Sequence, residues 1–262
     1  MATVPGELER QRLEVRRWLI RHPETVASIL VAVAWLWLVS IELRGAAVSG
    51  HAGMPGMQGM PGMDAGPVTA PGSSGIANPF AWWVLMSVAM MGPAALAGVR
   101  HTGLNSLRWR RGRAMAGFAT AYLAVWAVFG AVTLTVVAVV PGAPGTVALA
   151  IVLTLAAAWQ MTPLKRRWLR DCHRSVPLPP HGWKAELGAL RFGFRNGSSC
   201  LGSCWCLMLV MAVAPVYHLL WMVALTVVVT AEKLVDRPRY VTRMAAAALA
   251  ITAVVVVGPT LG

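Results

Sequence analysis

Acidic residues are scarce in this chain. Ten Asp and Glu stand against 23 Lys and Arg in 262 residues, and charged side chains make up only 13%. An average soluble domain carries roughly 25%. Within the apolar stretches the only acids are Glu42 and Glu232, each at the end of one. Proton relays need buried carboxylates or histidines, and hard-cation paths need carboxylate rings. Neither is supplied. A Ser-His-Asp constellation, a phosphate-binding glycine loop and a three-His metal set are also missing, so the chain reads as no enzyme. Cysteine is rare too, at four residues, which excludes a disulfide framework. No internal repeat is evident.

Apolar residues are what the chain has in excess. They make up 57% of it, and the mean hydropathy is +0.61. Apolar runs occupy Thr25–Leu43, Phe80–Val99, Ala114–Val140, Thr146–Met161, Ser198–Ala214, Val216–Leu234 and Tyr240–Thr260. Several approach the 20 residues that cross a hydrocarbon layer of about 30 Å. The expected fold is all-α, a polytopic membrane bundle of about seven transmembrane helices, or six if the first is cleaved as a signal peptide. Pro215 interrupts the Ser198–Leu234 stretch and predicts a tight hairpin at Ala214–Val216.

The net charge of +13 could indicate nucleic acid, but its distribution argues for topology instead. Five Lys or Arg precede the first run, five lie in 100–113, eight in 165–195 and four in 233–243, while Arg44 alone falls elsewhere. The positive-inside rule places the N-terminus and those loops in the cytoplasm, and the C-terminus outside. The expected organisation is a basic cytoplasmic N-terminus (1–24), a first helix (25–43) and a flexible Met-rich extracytoplasmic loop (44–79). The bundle (80–262) follows, with basic cytoplasmic loops at 100–113, 163–197 and 233–243. Within the 163–197 loop, Trp183, Leu187, Leu190 and Phe194 fall at helical spacing, as in an amphipathic helix lying on lipid.

Sulfur is the chemistry the crossings do carry. Cys200, Cys204, Met208 and Met211 form one stripe at helical spacing, with Cys206 pointing elsewhere. Met86 and Met90 share a face of another helix, with Met91 beside them. Pro93 should kink that helix and free backbone carbonyls. Soft thiolate and thioether ligands select Cu(I), and zinc to a lesser degree. If these sulfurs share a site, Met86 and Met90 should lie within about 10 Å of Cys200 and Cys204. The bland alternative is packing, for which Met and Cys are common. His218 and Met222 are four apart, with His218 read as an interfacial residue. Cys172 beside His173 is a weak metal signal. Gln160 and Lys165 read as ending and orienting the fourth crossing.

The stretch HAGMPGMQGMPGMDAG sets Met54, Met57, Met60 and Met63 at every third position among Gly and Pro, bracketed by His51 and Asp64. Such a composition cannot build a core. Disorder accounts for the Gly and Pro but not for exposed, oxidisable Met. Thioethers bind without losing a proton, so the loop reads as a collecting arm for Cu(I).

Four blocks then carry a resemblance, from about Trp82 to Lys233. They are Trp83-x-x-Met86-x-x-Ala89-Met90-Met91-x-Pro93; Gln160-x-x-Pro163-Leu164-Lys165 followed by Cys172; Gly188-Ala189 and Gly193, through Gly197, to Cys200-Leu201-Gly202-x-Cys204-Trp205-x-Leu207-Met208; and Leu220-Trp221-Met222 with Glu232-Lys233. The set resembles a bacterial family of predicted metal-binding integral membrane proteins, a domain of unknown function sometimes labelled copper chaperone. Members often have Cys where this chain has Ser203 and near Trp168, and a small apolar residue at Cys206. The resemblance implies a copper-handling protein of the bacterial inner membrane. Its partners would be lipid and a cuproenzyme or copper carrier, with no nucleic acid. An accessory subunit of a membrane oxidase complex and a permease for a small neutral solute are the alternatives.

Overall fold

The computed structural model describes residues 9–10, 14, 22–52, 78–140, 145–174, 176–179, 182–214, 218–235 and 238–261, with side chains left aside at 45–52, 238 and 257–261. Among the described residues there are eight helices and no strand: α1 (Thr25–Ala52), α2 (Pro79–Leu104), α3 (Arg111–Val139), α4 (Thr146–Met161), α5 (Pro163–Cys172), α6 (Trp183–Val213), α7 (His218–Leu234) and α8 (Pro238–Leu261). The all-α expectation holds. The Met loop, from Met54 through Met57 and Met60 to Met63, lies outside the described residues, as does the Pro215 hairpin.

The count of about seven crossings is not reproduced. Among the described residues five helices are long and apolar enough to cross a membrane, and a sixth span arises if α4 and α5 are taken together across their 73° bend. The reason is length. The 16 residues of α4 and the 17 of α7 reach only about 24–26 Å at roughly 1.5 Å per residue. The outside of the bundle is nonetheless apolar, with Leu30, Trp37, Val132, Ile151, Val227 and Val254 exposed. Lys165, Glu232, Gln160, Ser199 and Ser203 are buried. Apolar residues outside and polar residues within is the distribution a lipid environment favours.

Two boundaries also differ from the sequence expectation. Helix α1 continues past Leu43 to Ala52, into the stretch expected to be loop. The amphipathic segment expected to lie on lipid is not a separate element. It forms the first half of α6, a continuous helix of 31 residues and about 46 Å. Gly182, at φ +78°, supplies the left-handed residue just before its start. The predicted apolar stripe does face outward, since Trp183, Leu190 and Phe194 are exposed. What buries this half of α6 is its small-residue face.

That face sets the closest approach in the bundle. A Cβ on Gly193 would collide with the backbone of Phe118, and one on Gly197 would crowd the backbone of Tyr122. Small residues let helices meet backbone to backbone, with van der Waals packing in place of large side chains. Helices α3 and α6 therefore make the most extensive contact in the fold, followed by α4 with α8. Arg113 pairs with Glu186 at 3.1 Å at the exposed end of the α3–α6 contact.

Proline and cap residues place the remaining helices. Asn78 caps α2 by accepting from Phe80 N at 2.9 Å, with Pro79 at the first position. Pro93, inside α2, lacks the N–H that would reach Ala89 O. The Trp35 indole donates to that carbonyl instead, at 2.9 Å, which ties α1 to α2. Thr162 caps α5 by accepting from Lys165 N at 3.2 Å, with Pro163 at the first position. The break turns Lys165 into the protein, where it is only 1% exposed.

Candidate metal centre

Helix α6 carries Gly193, Gly197, Cys200 and Cys204 on one face, at steps of four, three and four residues. The two glycines bring that face against α3, and the next turns deliver the two thiols beside Tyr122. Helix α2 adds Met91 from the turn just before Pro93. Cys200, Cys204 and Met91 are each 0–1% exposed.

Their sulfurs form a nearly equilateral triangle. Cys200 Sγ lies 3.8 Å from Cys204 Sγ and 3.9 Å from Met91 Sδ, and Cys204 Sγ lies 3.8 Å from Met91 Sδ. Two donors converge on one corner. Lys233 Nζ, from α7, donates to Cys200 Sγ at 3.0 Å. The Tyr122 hydroxyl lies 3.0 Å from the same sulfur, with Met91 O as a second acceptor at 3.3 Å. Cys204 Sγ donates back to Cys200 O at 2.8 Å, as does Ser203 Oγ. All donors therefore act on the Cys200 side, and the Cys204 and Met91 sulfurs accept no nitrogen or oxygen donor among the described residues.

A buried ion pair joins α5 to the helix that carries Lys233. Lys165 Nζ sits 2.8 Å from one Glu232 carboxylate oxygen and 3.0 Å from the other, and it also donates to Gln160 Oε1. Lys165 and Glu232 are 1% and 2% exposed. The pair ties the α4–α5 break to α7 and so sets the height of Lys233. Gln160 and Lys165 thus do more than end a crossing.

The other expected residues are distributed as follows. Met86, Met90 and Met208 are buried in the same core, and none of them accepts a hydrogen bond from a thiol among the described residues. Of the three methionines expected to meet the cysteines, Met91 is the one whose sulfur reaches both thiols. Cys206 is buried apart from the triangle. Cys172 is half-buried and packs on the core. Trp168 rests against Gly202. Trp205 meets Trp159 edge to face at 5.3 Å, and Trp83 donates to Trp126 O at 3.1 Å over Gly130. Met222 is buried and Trp221 half-buried on α7. His218 is buried with no partner for Nε2 among the described residues, unlike the hydrogen-bonded interfacial residue expected. His51 falls within α1 by its backbone, and its side chain is outside the described set.

Sequence patterns missed Tyr122 as part of the site. The available signal was a lone phenol inside an apolar run, since a buried Tyr hydroxyl needs a partner. The Lys165–Glu232 pairing was also missed, because 67 residues separate the two.

Among the described residues no group of three or more His, Cys, Asp or Glu side chains could hold a metal. The set present is two thiols and a thioether. Such a set is poor for hard cations and suited to soft ones. The chain matches no curated protein and no solved structure. A family profile described as a copper chaperone matches residues 80–256, which spans every element from α2 into α8 and contains all the residues of the triangle. The chain belongs to that copper chaperone family.

Proposed function

We propose that this protein is a membrane-embedded copper chaperone that holds Cu(I) on Cys200, Cys204 and Met91. The observation that carries it is the sulfur triangle. With edges of 3.8, 3.8 and 3.9 Å, its centre lies about 2.2 Å from each sulfur, close to the metal–thiolate distance of about 2.3 Å seen for zinc. Three sulfurs in one plane suit Cu(I). Structural zinc takes four ligands in a tetrahedron, and the groups nearest the fourth position here are hydrogen-bond donors. Zinc is therefore the weaker candidate.

Charge supports the same assignment. Two thiolates and Cu(I) sum to one negative charge, and the Lys233 ammonium beside Cys200 offsets it. An unpaired charge at this depth would be expensive. The protein's role is to bind and release the ion, with no bond of a substrate made or broken, so it acts as a carrier and not an enzyme.

With the short α4 and α7 counted as crossings, the positive-inside rule supports a cytoplasmic position for the basic α2–α3, α5–α6 and α7–α8 connections, in the inner membrane of a bacterium. The Met-rich segment then lies outside and collects Cu(I) for the bundle. Delivery to a cuproenzyme or carrier is part of the same proposal, and the family description is consistent with it.

Competition with bicinchoninate for Cu(I) tests the proposal. The wild-type protein should take one ion into the bundle, and Cys200→Ser with Cys204→Ser should abolish that site. Changing Met54, Met57, Met60 and Met63 together to Ser should lower total uptake and leave the bundle site intact. No binding by the intact protein, or full binding without both cysteines, overturns it.

A further inference from the structure

A second feature lies next to the triangle and is not explained by holding an ion. Between α5 and the α7–α8 junction there is an open cavity of ≈ 1080 Å³. Ligand pockets for small molecules run to about 300–1,000 Å³. Its walls carry Arg166, Arg167, Arg170, Lys233, Arg239 and Arg243, and no carboxylate among the described residues. None of the five arginines pairs with a carboxylate among the described residues, and Asp171, the acid nearest in sequence, pairs with Arg174 instead at 3.4 Å. His173, Tyr240 and Thr242 add polar groups to the wall. Six cations gathered on one concave surface repel each other and make a site for an anion.

The cavity and the sulfur triangle share a residue. Lys233 lines the cavity, and its Nζ lies 3.0 Å from Cys200 Sγ. Cys172 is the last residue of the arginine-bearing helix, next to His173 of the wall. A ligand seated among the arginines is therefore one side chain away from the buried thiols. Plain surface basicity would not require that connection.

We infer that this cavity is the port of the copper site, and that it receives Cu(I) as the anionic complex of a small thiol. The inference rests on the Cu(I) site proposed above. A two-coordinate Cu(I) bis-thiolate bears one negative charge on the metal centre, and any carboxylates of the carrier add more. The exchange is balanced. Two copper–sulfur bonds to the carrier break, and bonds to Cys200, Cys204 and Met91 form. The two protein thiol protons leave on the two departing thiols. Copper stays Cu(I) throughout, so no oxidant or reductant is needed. Lys233 faces a singly negative copper–dithiolate before the exchange and after it.

Stopped-flow uptake by the full chain in neutral detergent tests this, read by thiolate-to-Cu(I) absorbance. Two donors are compared: Cu(I) bound to glutathione, which is anionic, and Cu(I) in dilute acetonitrile, which is cationic. The variant carries Arg166→Gln, Arg170→Gln, Arg239→Gln and Arg243→Gln. Its uptake from the glutathione complex should fall by about tenfold or more, as loss of electrostatic steering predicts. Uptake from acetonitrile should not fall, and the capacity measured with bicinchoninate should be unchanged. The matching Arg→Lys variant should restore the glutathione rate. If the Gln variant does not fold, salt gives the same readout on the wild type: raising KCl from about 50 mM to about 500 mM should slow only the glutathione donor. Equal slowing of both donors overturns the port. Unchanged rates overturn it too, including the case in which the variant merely loses a co-purified anionic phospholipid. If the wild type takes copper from neither donor, the copper site itself is refuted, a result distinct from failure of the port.

Discussion

Lys233 Nζ and Cys200 Sγ lie 3.0 Å apart where the half-buried lysine meets the buried thiol, although 33 residues separate them in the chain. The contact sets an ammonium at one corner of the sulfur triangle. It also links the sulfur triangle to the basic cavity, because the same ammonium lines both. Groups that orient a metal ligand in this way commonly change affinity by about 10–100-fold when removed.

Replacing Lys233 by Met should therefore weaken Cu(I) binding by about 10–100-fold. Lys233→Arg, which keeps the charge, should recover part of the loss. Bicinchoninate competition on both variants measures it. Unchanged affinity in Lys233→Met would show that the contact has no bearing on the ion.

Met91, and neither Met86 nor Met90, supplies the third sulfur of the triangle. Sulfur coordination read by X-ray absorption at the copper edge should drop from three to two in Met91→Leu. Met86→Leu and Met90→Leu should leave it at three. These are volume-conserving changes that cost less than about 1.5 kcal/mol of stability, so loss of a ligand is separable from unfolding. A drop in either of the latter two variants would move the site up the helix.

Gly193 and Gly197 hold α6 against α3. A valine at Gly193 meets the Phe118 backbone, which cannot move aside as a side chain would. Overpacking of this kind costs about 1–3 kcal/mol. Gly193→Val should lower the melting temperature in detergent and also weaken copper binding, since Tyr122 would be displaced from Cys200. Leu190→Val, on the exposed side of the same helix, should alter neither. A wild-type melting temperature for Gly193→Val would show that the backbone approach is not required.

Lys165 and Glu232 are buried together, and removing either leaves the other charge unpaired. Such a loss costs about 3–5 kcal/mol, whereas replacing both by apolar residues is often close to neutral. Glu232→Leu and Lys165→Met should each destabilise the protein strongly, and the double variant should recover most of the loss. Thermal unfolding of the three variants checks it. Additive losses in the double variant would mean that the two charges act independently.

Much of the candidate site was legible in the sequence because helical spacing is a local property. Cys200 and Cys204 share a face at any position in any bundle, once the segment is helical. The glycines at 193 and 197 extend that same stripe. The family resemblance also marked Gln160, Lys165, Glu232 and Lys233. What each of them touches could not be read from it. Met86 and Met90 illustrate the limit. They share a helical face, yet the thiols meet Met91, because the rotation of α2 is set by its packing on α1 and α3 and by the Trp35 bond at Ala89. The number of long, apolar spans among the described residues differs from the number of apolar runs for a similar reason. An apolar run has a length in residues, while a span needs a length in ångströms along one axis, and the 73° bend after α4 depends on how Thr162 and Pro163 break the helix.

The sequence by itself determined an all-helical, apolar, basic-looped chain whose reactive side chains are sulfur. Composition and periodicity suffice for that, because the free energy of placing apolar residues in helices and charges at their ends is mainly local. Tertiary structure alone decided which sulfurs meet, and that a lysine and a tyrosine join them. It also decided that an ion pair is buried at the α4–α5 break. Those contacts join helices far apart in sequence, and their geometry follows from the backbone approach of α6 to α3, where two glycines leave no room for side chains.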